Sequence, residues 1–169
     1  MKWIGISGTW RLTNPRVESD VRRAVSDLFS SGNGIVTGGA VGVDHFATDE
    51  MLRLDPLARS IKIILPATLP AYIEHYKKAP LDGAISVTQA NELISQLERL
   101  YKINPQAIIG EKNNPPINQQ TYFARNTKVV ELSDELLAFQ VNKSAGTQDT
   151  INKARAKGIP VKVFEYTIK

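Results

Sequence analysis

The chain has 169 residues, of which 42% are hydrophobic and 22% charged, with a formal net charge of +4. These proportions fit a globular unit that buries roughly 70% of its unfolded surface, and they exclude an extended disordered chain. Cysteine is absent, which excludes disulfides, thiol nucleophiles and cysteine-ligated metal centres.

No run approaches the ~20 apolar residues of a membrane span. The amino-terminal MKWIGISGTW lacks the charged and apolar regions of a secretory signal. A cytoplasmic protein with no membrane partner is therefore expected. The mild positive charge permits an anionic ligand or nucleic acid without specifying one. Arg22-Arg23 and Lys77-Lys78 are the densest basic pairs and read as solvated helix faces.

In chain order, Trp3 to Ser7 predicts a first strand. Asn14-Pro15 then supplies a helix cap followed by proline at the first helical position. Val17, Val21, Val25 and Leu28 recur at helical spacing, and Gly32 and Gly34 bracket the helix end. Gly34 to Thr37 predicts a second strand, Val41 to Leu54 a second helix, and Ser60 to Leu65 a buried third strand. Residues 66–105 read as a less regular helical insertion. Within it, Ser86 and Gln89 form a capping box before a helix with Val87, Leu93, Ile94, Leu97 and Leu100 on its apolar face. Pro105 stops that helix, and Ala107 to Gly110 predicts a short fourth strand. Asn113 to Gln120 is polar and proline-bearing, a loop. Thr121 to Leu132 predicts a helix, Leu136 to Val141 a strand, Gly146 to Lys157 a helix, and Pro160 to Phe164 a last strand.

Alternating strands and helices imply a parallel sheet with right-handed crossovers. The expected fold is a single three-layer α/β domain, Rossmann-like, with a mostly parallel sheet of about five to six strands flanked by helices. Ligands of such sheets sit beyond the carboxyl ends of the strands. Three loops there are rich in small residues: Ser7-Gly8-Thr9, TGGAVGVD from Thr37 to Asp44, and SAGTQDT from Ser144 to Thr150. Glycine permits close backbone approach to an anion, and a helix amino end offers N–H groups to phosphate. The hydroxyls of Ser7, Thr9, Thr37 and Thr147 can add donors. Each loop alone also reads as a tight strand-to-helix turn; their clustering at one edge favours a ligand site.

The P-loop, the G-x-G-x-x-G fingerprint after the first strand and H-E-x-x-H are all missing. His45 and His75 are the only histidines, and they read as packed or surface residues, so no metal site is expected. Asp44 reads equally as a helix cap and as a ligand contact. Arg125 reads equally as a phosphate fork and as a surface ion-pair partner.

TGGAVGVDHFAT resembles the Gly-Gly-Ala-x-Gly-hydrophobic-Asp segment of the DNA-processing protein A family. IIGEKNNPPINQQTYFARNTKVVELSD resembles that family's later segment, with a proline-bearing loop and Phe-x-x-Arg-Asn leading into a helix. SAGTQDTINKARAKGIPVKVF is similar to its last helix and strand, and ISGTWRLT to its first strand and loop. The resemblance covers the chain except Pro66 to Pro105, and it extends to the SLOG superfamily, which includes the lonely-guy phosphoribohydrolases. It implies a nucleotide or phosphate pocket formed by Gly38, Gly39, Gly42, Arg125, Gly146 and Thr147. In the phosphoribohydrolases a catalytic glutamate stands where this chain has Thr150, and threonine is no carboxylate base.

The candidate ligand contacts are therefore Ser7, Gly8, Thr9 and Arg11; Thr37, Gly38, Gly39, Ala40, Gly42 and Asp44; Arg125 and Asn126; and Ser144, Gly146, Thr147 and Thr150. The expected function is binding of a nucleotide or other phosphate-bearing small molecule, with no required cofactor. Two alternatives stand beside it. One is single-stranded DNA binding, to which Trp10, Arg11, Tyr122, Phe123 and Arg125 can contribute. The other is cleavage of a nucleoside monophosphate using Asp44, Asp149 or Glu111. A homodimer is compatible with the superfamily resemblance.

Overall fold

The computed structural model describes residues 1–169. Strand β1 (Trp3–Gly8) leads to helix α1 (Pro15–Ser30), β2 (Gly34–Thr37), α2 (Val43–Leu54) and β3 (Ile61–Ile64). Helix α3 (Leu69–Lys78), a 3-10 turn (Ala79–Asp82) and α4 (Val87–Ile103) follow. After a second 3-10 turn come β4 (Ile108–Ile109), α5 (Gln119–Glu131), β5 (Glu135–Val141), α6 (Ala145–Lys157) and β6 (Val161–Tyr166). The six strands are all parallel, in the order β4-β3-β2-β1-β5-β6.

Local chemistry explains most of these boundaries. Asn14 Oδ1 accepts the Val17 N–H at 2.9 Å to open α1, whose buried stripe is Val17, Val21 and Val25. Ser86 and Gln89 exchange the two bonds of a capping box at α4. Gly158, with φ +80°, takes the left-handed position that ends α6. Helix α2 starts at Val43 rather than Val41, because Gly42 has φ +76° and ψ −129° and cannot be helical. Asn118 caps α5 reciprocally with Thr121, so that helix begins two residues before Thr121.

The period-two alternation of strands separates two faces. Ile4, Ile6, Ile35, Ile61, Ile63, Phe139 and Val141 join α1 to α4 in a cluster of 26 buried residues. Leu136 and Ala138 point the other way, onto Val130 of α5 and Ile151 and Ala154 of α6. The sheet thus lies between two helical layers, a Rossmann-like arrangement. The insertion is more regular than its sequence suggested: α3 packs Tyr72 and Tyr76 into the larger core. Val87 corrects the expected apolar face of α4. It is 62% exposed, because it is the first helical residue and precedes the buried stripe that starts at Ala90.

Candidate functional site

The chain runs outward from β1 through β2, β3 and β4, then returns to place β5 on the other side of β1. The crevice at this reversal, beyond the carboxyl ends of β1 and β5, is the usual ligand position in such sheets. The register sets Ser7 beside Ala138 and Gly8 beside Phe139, so the first and third glycine-bearing loops emerge as neighbours. The second loop leaves β2 on the far side of β1.

The second loop is folded onto its own carboxylate. Asp44 is buried, and its Oδ2 accepts the Ala40 N–H at 3.2 Å. Thr37, fully buried, accepts the Gly39 N–H at 3.4 Å through Oγ1, and Val43 N–H donates to the Thr9 carbonyl at 3.2 Å. The loop's donors therefore point inward, at Asp44 and Thr37, more than outward. Burial pushes the Asp44 carboxyl above the ordinary carboxylate range, opposed by the charge of Arg125 and by bonds from Ala40, Thr37 and Gly38. A carboxyl with a raised folded-state pKa contributes its stability below the unfolded value, near 3.8, and loses it as pH rises through the folded value. Asp44→Asn is accordingly expected to remove one component of falling stability between acidic and neutral pH. Urea denaturation across pH compares the two proteins; parallel stability curves would contradict the assignment.

The first and third loops are tied together by hydroxyls. Thr9 Oγ1 accepts the Val141 N–H and donates to Ser144 Oγ, both at 3.1 Å. Ser144 Oγ in turn donates to Thr147 Oγ1 at 2.8 Å. Thr9 and Thr147 are buried, so these hydroxyls hold the crevice together. Thr150 is also buried and donates to the Gly146 carbonyl at 3.2 Å. Asn126 is buried and links α5 to α6 through the Gly146 carbonyl (3.4 Å) and Asp149 Oδ2 (3.1 Å). Ser7 and Gly8 are half-buried at the crevice, and Arg11 is exposed on the loop that follows. At the start of α6, Ser144 makes no side-chain cap to a backbone N–H, and Gly146 is exposed, with open space where a Cβ would project. That helix end presents its dipole and N–H groups outward.

Arg125 reaches from α5 across to the second loop. Its Nη1 donates to the Gly38 carbonyl, and its Nε donates to Asn126 Oδ1 at 3.1 Å. The guanidinium also lies 5.3 Å from the centre of the Tyr122 ring and is in no ion pair with a carboxylate. A Cβ on Gly38 would collide with this guanidinium, so a side chain there would require the arginine to move. Arg125 forms one wall of a cleft of about 520 Å³. Leu65 and Pro66 beyond β3, Glu111, Pro115, Pro116 and Asn118 also line it.

Sequence reasoning did not place this cleft, nor the aromatic group behind it. Tyr72, Tyr76 and Tyr122 surround His75, whose Nε2 is 3.3 Å from the Tyr122 hydroxyl. The Tyr72 hydroxyl donates to the Gly39 carbonyl at 3.0 Å and so braces the glycine loop. Burial lowers the His75 pKa and raises those of Tyr72, Tyr76 and Tyr122. The legible signal was Tyr72, His75 and Tyr76 at spacings of three and four. The three candidate carboxylates are all engaged: Asp44 inside its loop, Asp149 with Lys153 (2.8 Å) and Asn126, and Glu111 with Lys128.

Exposed cations complete the edge. Arg11 follows β1, Lys112 follows β4 and Lys143 follows β5; none pairs with a carboxylate. Trp10, 44% exposed, stands beside Arg11 and packs its backbone against Gly42. No helix is long and apolar enough to cross a membrane.

Among curated proteins none matches this sequence. Solved structures that share the fold include two of DNA processing protein A and one of a molybdenum cofactor binding protein. DNA processing protein A from Helicobacter pylori, described for its single-stranded DNA binding mode, aligns with TM-score 0.67 and 23% identity over 96% of this chain and 64% of that one. DNA processing protein A from Streptococcus pneumoniae aligns with TM-score 0.63 and 16% identity over 96% of this chain and 50% of that one. The chain thus spans less than two thirds of either protein. The molybdenum cofactor binding protein of Rippkaea orientalis aligns with TM-score 0.60 and 18% identity, covering 97% and 76% of the two chains. The model of the DNA recombination-mediator protein A family matches residues 1–169. The chain belongs to the DNA recombination-mediator protein A family.

Proposed function

We propose that the carboxyl edge of the sheet binds single-stranded DNA through its phosphates. The observation that carries this reading is the inward closure of the glycine loop. Asp44, buried, already accepts the Ala40 N–H of that loop as an internal acceptor. Capacity for anions therefore lies outside it, on Arg11, Lys112, Lys143, Arg125 and the open start of α6. These are spread along an edge, which suits a linear polyanion better than one enclosed phosphate. Membership of a DNA-processing family and the described property of the Helicobacter pylori protein support the same reading.

Trp10 gives the edge a stacking platform. Base stacking on an aromatic side chain contributes about 1–3 kcal/mol per base. Trp10→Ala is expected to weaken binding of a labelled deoxythymidine oligomer by that amount in fluorescence anisotropy. Its melting temperature should match the wild type, because the indole is exposed. An unchanged affinity would remove Trp10 from the interface.

A second reading has its own observation, the cleft beside Arg125. Its volume of about 520 Å³ lies inside the usual range for small-molecule sites, about 300–1,000 Å³. A nucleoside monophosphate placing its phosphate on Arg125 would fit there. Competition separates the two: a mononucleotide that displaces the oligomer at micromolar concentration favours the cleft, and failure to compete at millimolar concentration favours the extended edge.

A further inference from the structure

Arg125 is held in place without an ion pair. A carboxylate in direct contact would orient a guanidinium, but it would also occupy the fork and offset its charge for an incoming anion. Here the amide of Asn126 stands between Arg125 and a carboxylate, that of Asp149.

The Asn126 amide has one permitted orientation. Its Nδ2 lies 3.4 Å from the Gly146 carbonyl and 3.1 Å from Asp149 Oδ2, both acceptors. Lys153 Nζ donates to the same Oδ2 at 2.8 Å, which keeps that oxygen an acceptor. Asn126 Oδ1 therefore faces Arg125 Nε, which can only donate, at 3.1 Å. With Nη1 on the Gly38 carbonyl as well, the guanidinium is fixed at two of its nitrogens. Nη2 makes no hydrogen bond within the chain, and Arg125 lines the cleft. Asn126 is 8% exposed and the Asp149 side chain 19%, so water competes weakly for these bonds. Both residues meet in the first turns of α6, so the open start of that helix and Arg125 share one frame.

We propose that Asp149 is a positioning residue: through Asn126 it aims Arg125 at a phosphate of the bound strand while leaving the guanidinium's charge free. This role rests on the phosphate-binding reading of the edge. The sign of its effect is distinctive. A bystander carboxylate at an anion-binding edge repels phosphate, so removing it would tighten binding. A carboxylate that aims Arg125 does the opposite. Asp149→Ala should weaken binding of a labelled deoxythymidine oligomer about fivefold, for the loss of one hydrogen bond. Asp149→Asn should bind at least as tightly as the wild type. Asn126 and Lys153 both donate to Oδ2, so a single amide oxygen in that place accepts both bonds.

The test pairs fluorescence anisotropy of these variants with proton exchange at Arg125 Nε, followed by NMR of the nitrogen-labelled full chain. The signal is assigned by its loss in Arg125→Lys. Without DNA, that proton should exchange slowly in the wild type and in Asp149→Asn, and quickly in Asp149→Ala. Asp149→Leu, similar in shape to Asn but with no acceptor, replaces Asp149→Ala if the latter does not fold. Wild-type or tighter affinity in the acceptor-free variant, or unchanged exchange in it, would overturn the role. Fast exchange in the wild type would overturn it without any variant. Absence of oligomer binding by the wild type would instead strike the phosphate-binding reading, and the exchange rates would still decide whether Asp149 aims Arg125.

Discussion

Gly42→Ala is expected to destabilise the protein by about 3 kcal/mol or more. Gly42 has φ +76° and ψ −129°, a combination that side-chain-bearing residues adopt only under strain of roughly 1–3 kcal/mol. The added methyl would also stand 2.5 Å from the Thr9 carbonyl oxygen and 2.8 Å from that of Trp10. Both neighbours are backbone and cannot rotate away. Relief requires moving the first loop, which is held by the Thr9 hydroxyl to Val141 and Ser144. For a chain of this length, 3 kcal/mol corresponds to a melting temperature lower by about 6–12 °C. Calorimetry or thermal circular dichroism checks this. A shift under about 2 °C would mean that the loop adjusts freely and that its tight packing is not structural.

Arg125→Ala is expected to give the largest loss of ligand affinity. The guanidinium is the one cation that touches the glycine loop and the cleft together, through the Gly38 carbonyl and the cleft wall. A charge-assisted hydrogen bond contributes about 1.5–3 kcal/mol, so phosphate affinity should fall by roughly 10- to 150-fold. Stability should also drop by about 1–3 kcal/mol, because the Gly38 carbonyl loses its donor. Arg125→Lys keeps the charge and loses the planar fork. It should recover part of the binding and little of the bond to Gly38. Direct titration at a temperature where both variants remain folded separates the two effects. Full affinity in Arg125→Ala would place the ligand elsewhere.

The layered fold was legible because its signals were local. Asn14-Pro15, the Ser86 and Gln89 capping box and the Gly158 stop all appear where the sequence placed them, and the short β-branched runs became β1, β2, β3 and β5. Helix α3 was missed although Thr68 caps it, its Oγ1 accepting the Ala71 N–H, and Pro70 sits in its first turn. Its apolar stripe is carried by Tyr72 and Tyr76, residues whose hydroxyls disguise a buried face. The candidate site was legible as a location and not as a wiring scheme. The glycine, serine and threonine residues do gather at the carboxyl edge of β1, β2 and β5. Which of their polar groups face a ligand depends on contacts between distant segments. Thr9 meets Ser144 across 135 residues and Arg125 meets Gly38 across 87, and no spacing rule contains those distances. Asp44 illustrates the point: a cap and a ligand contact read alike in sequence, and the structure finds a third role, the acceptor inside the loop.

The most direct test of the account is the salt dependence of oligonucleotide binding by the full chain. Contacts to four phosphates, through Arg11, Lys112, Lys143 and Arg125, predict a log–log slope of affinity against salt of about −3 for a single strand. Arg11→Ala or Lys143→Ala should each make the slope shallower by about 0.7. A slope near zero, or no measurable binding to any single strand at low salt, would contradict the assignment of the carboxyl edge as a DNA-binding surface.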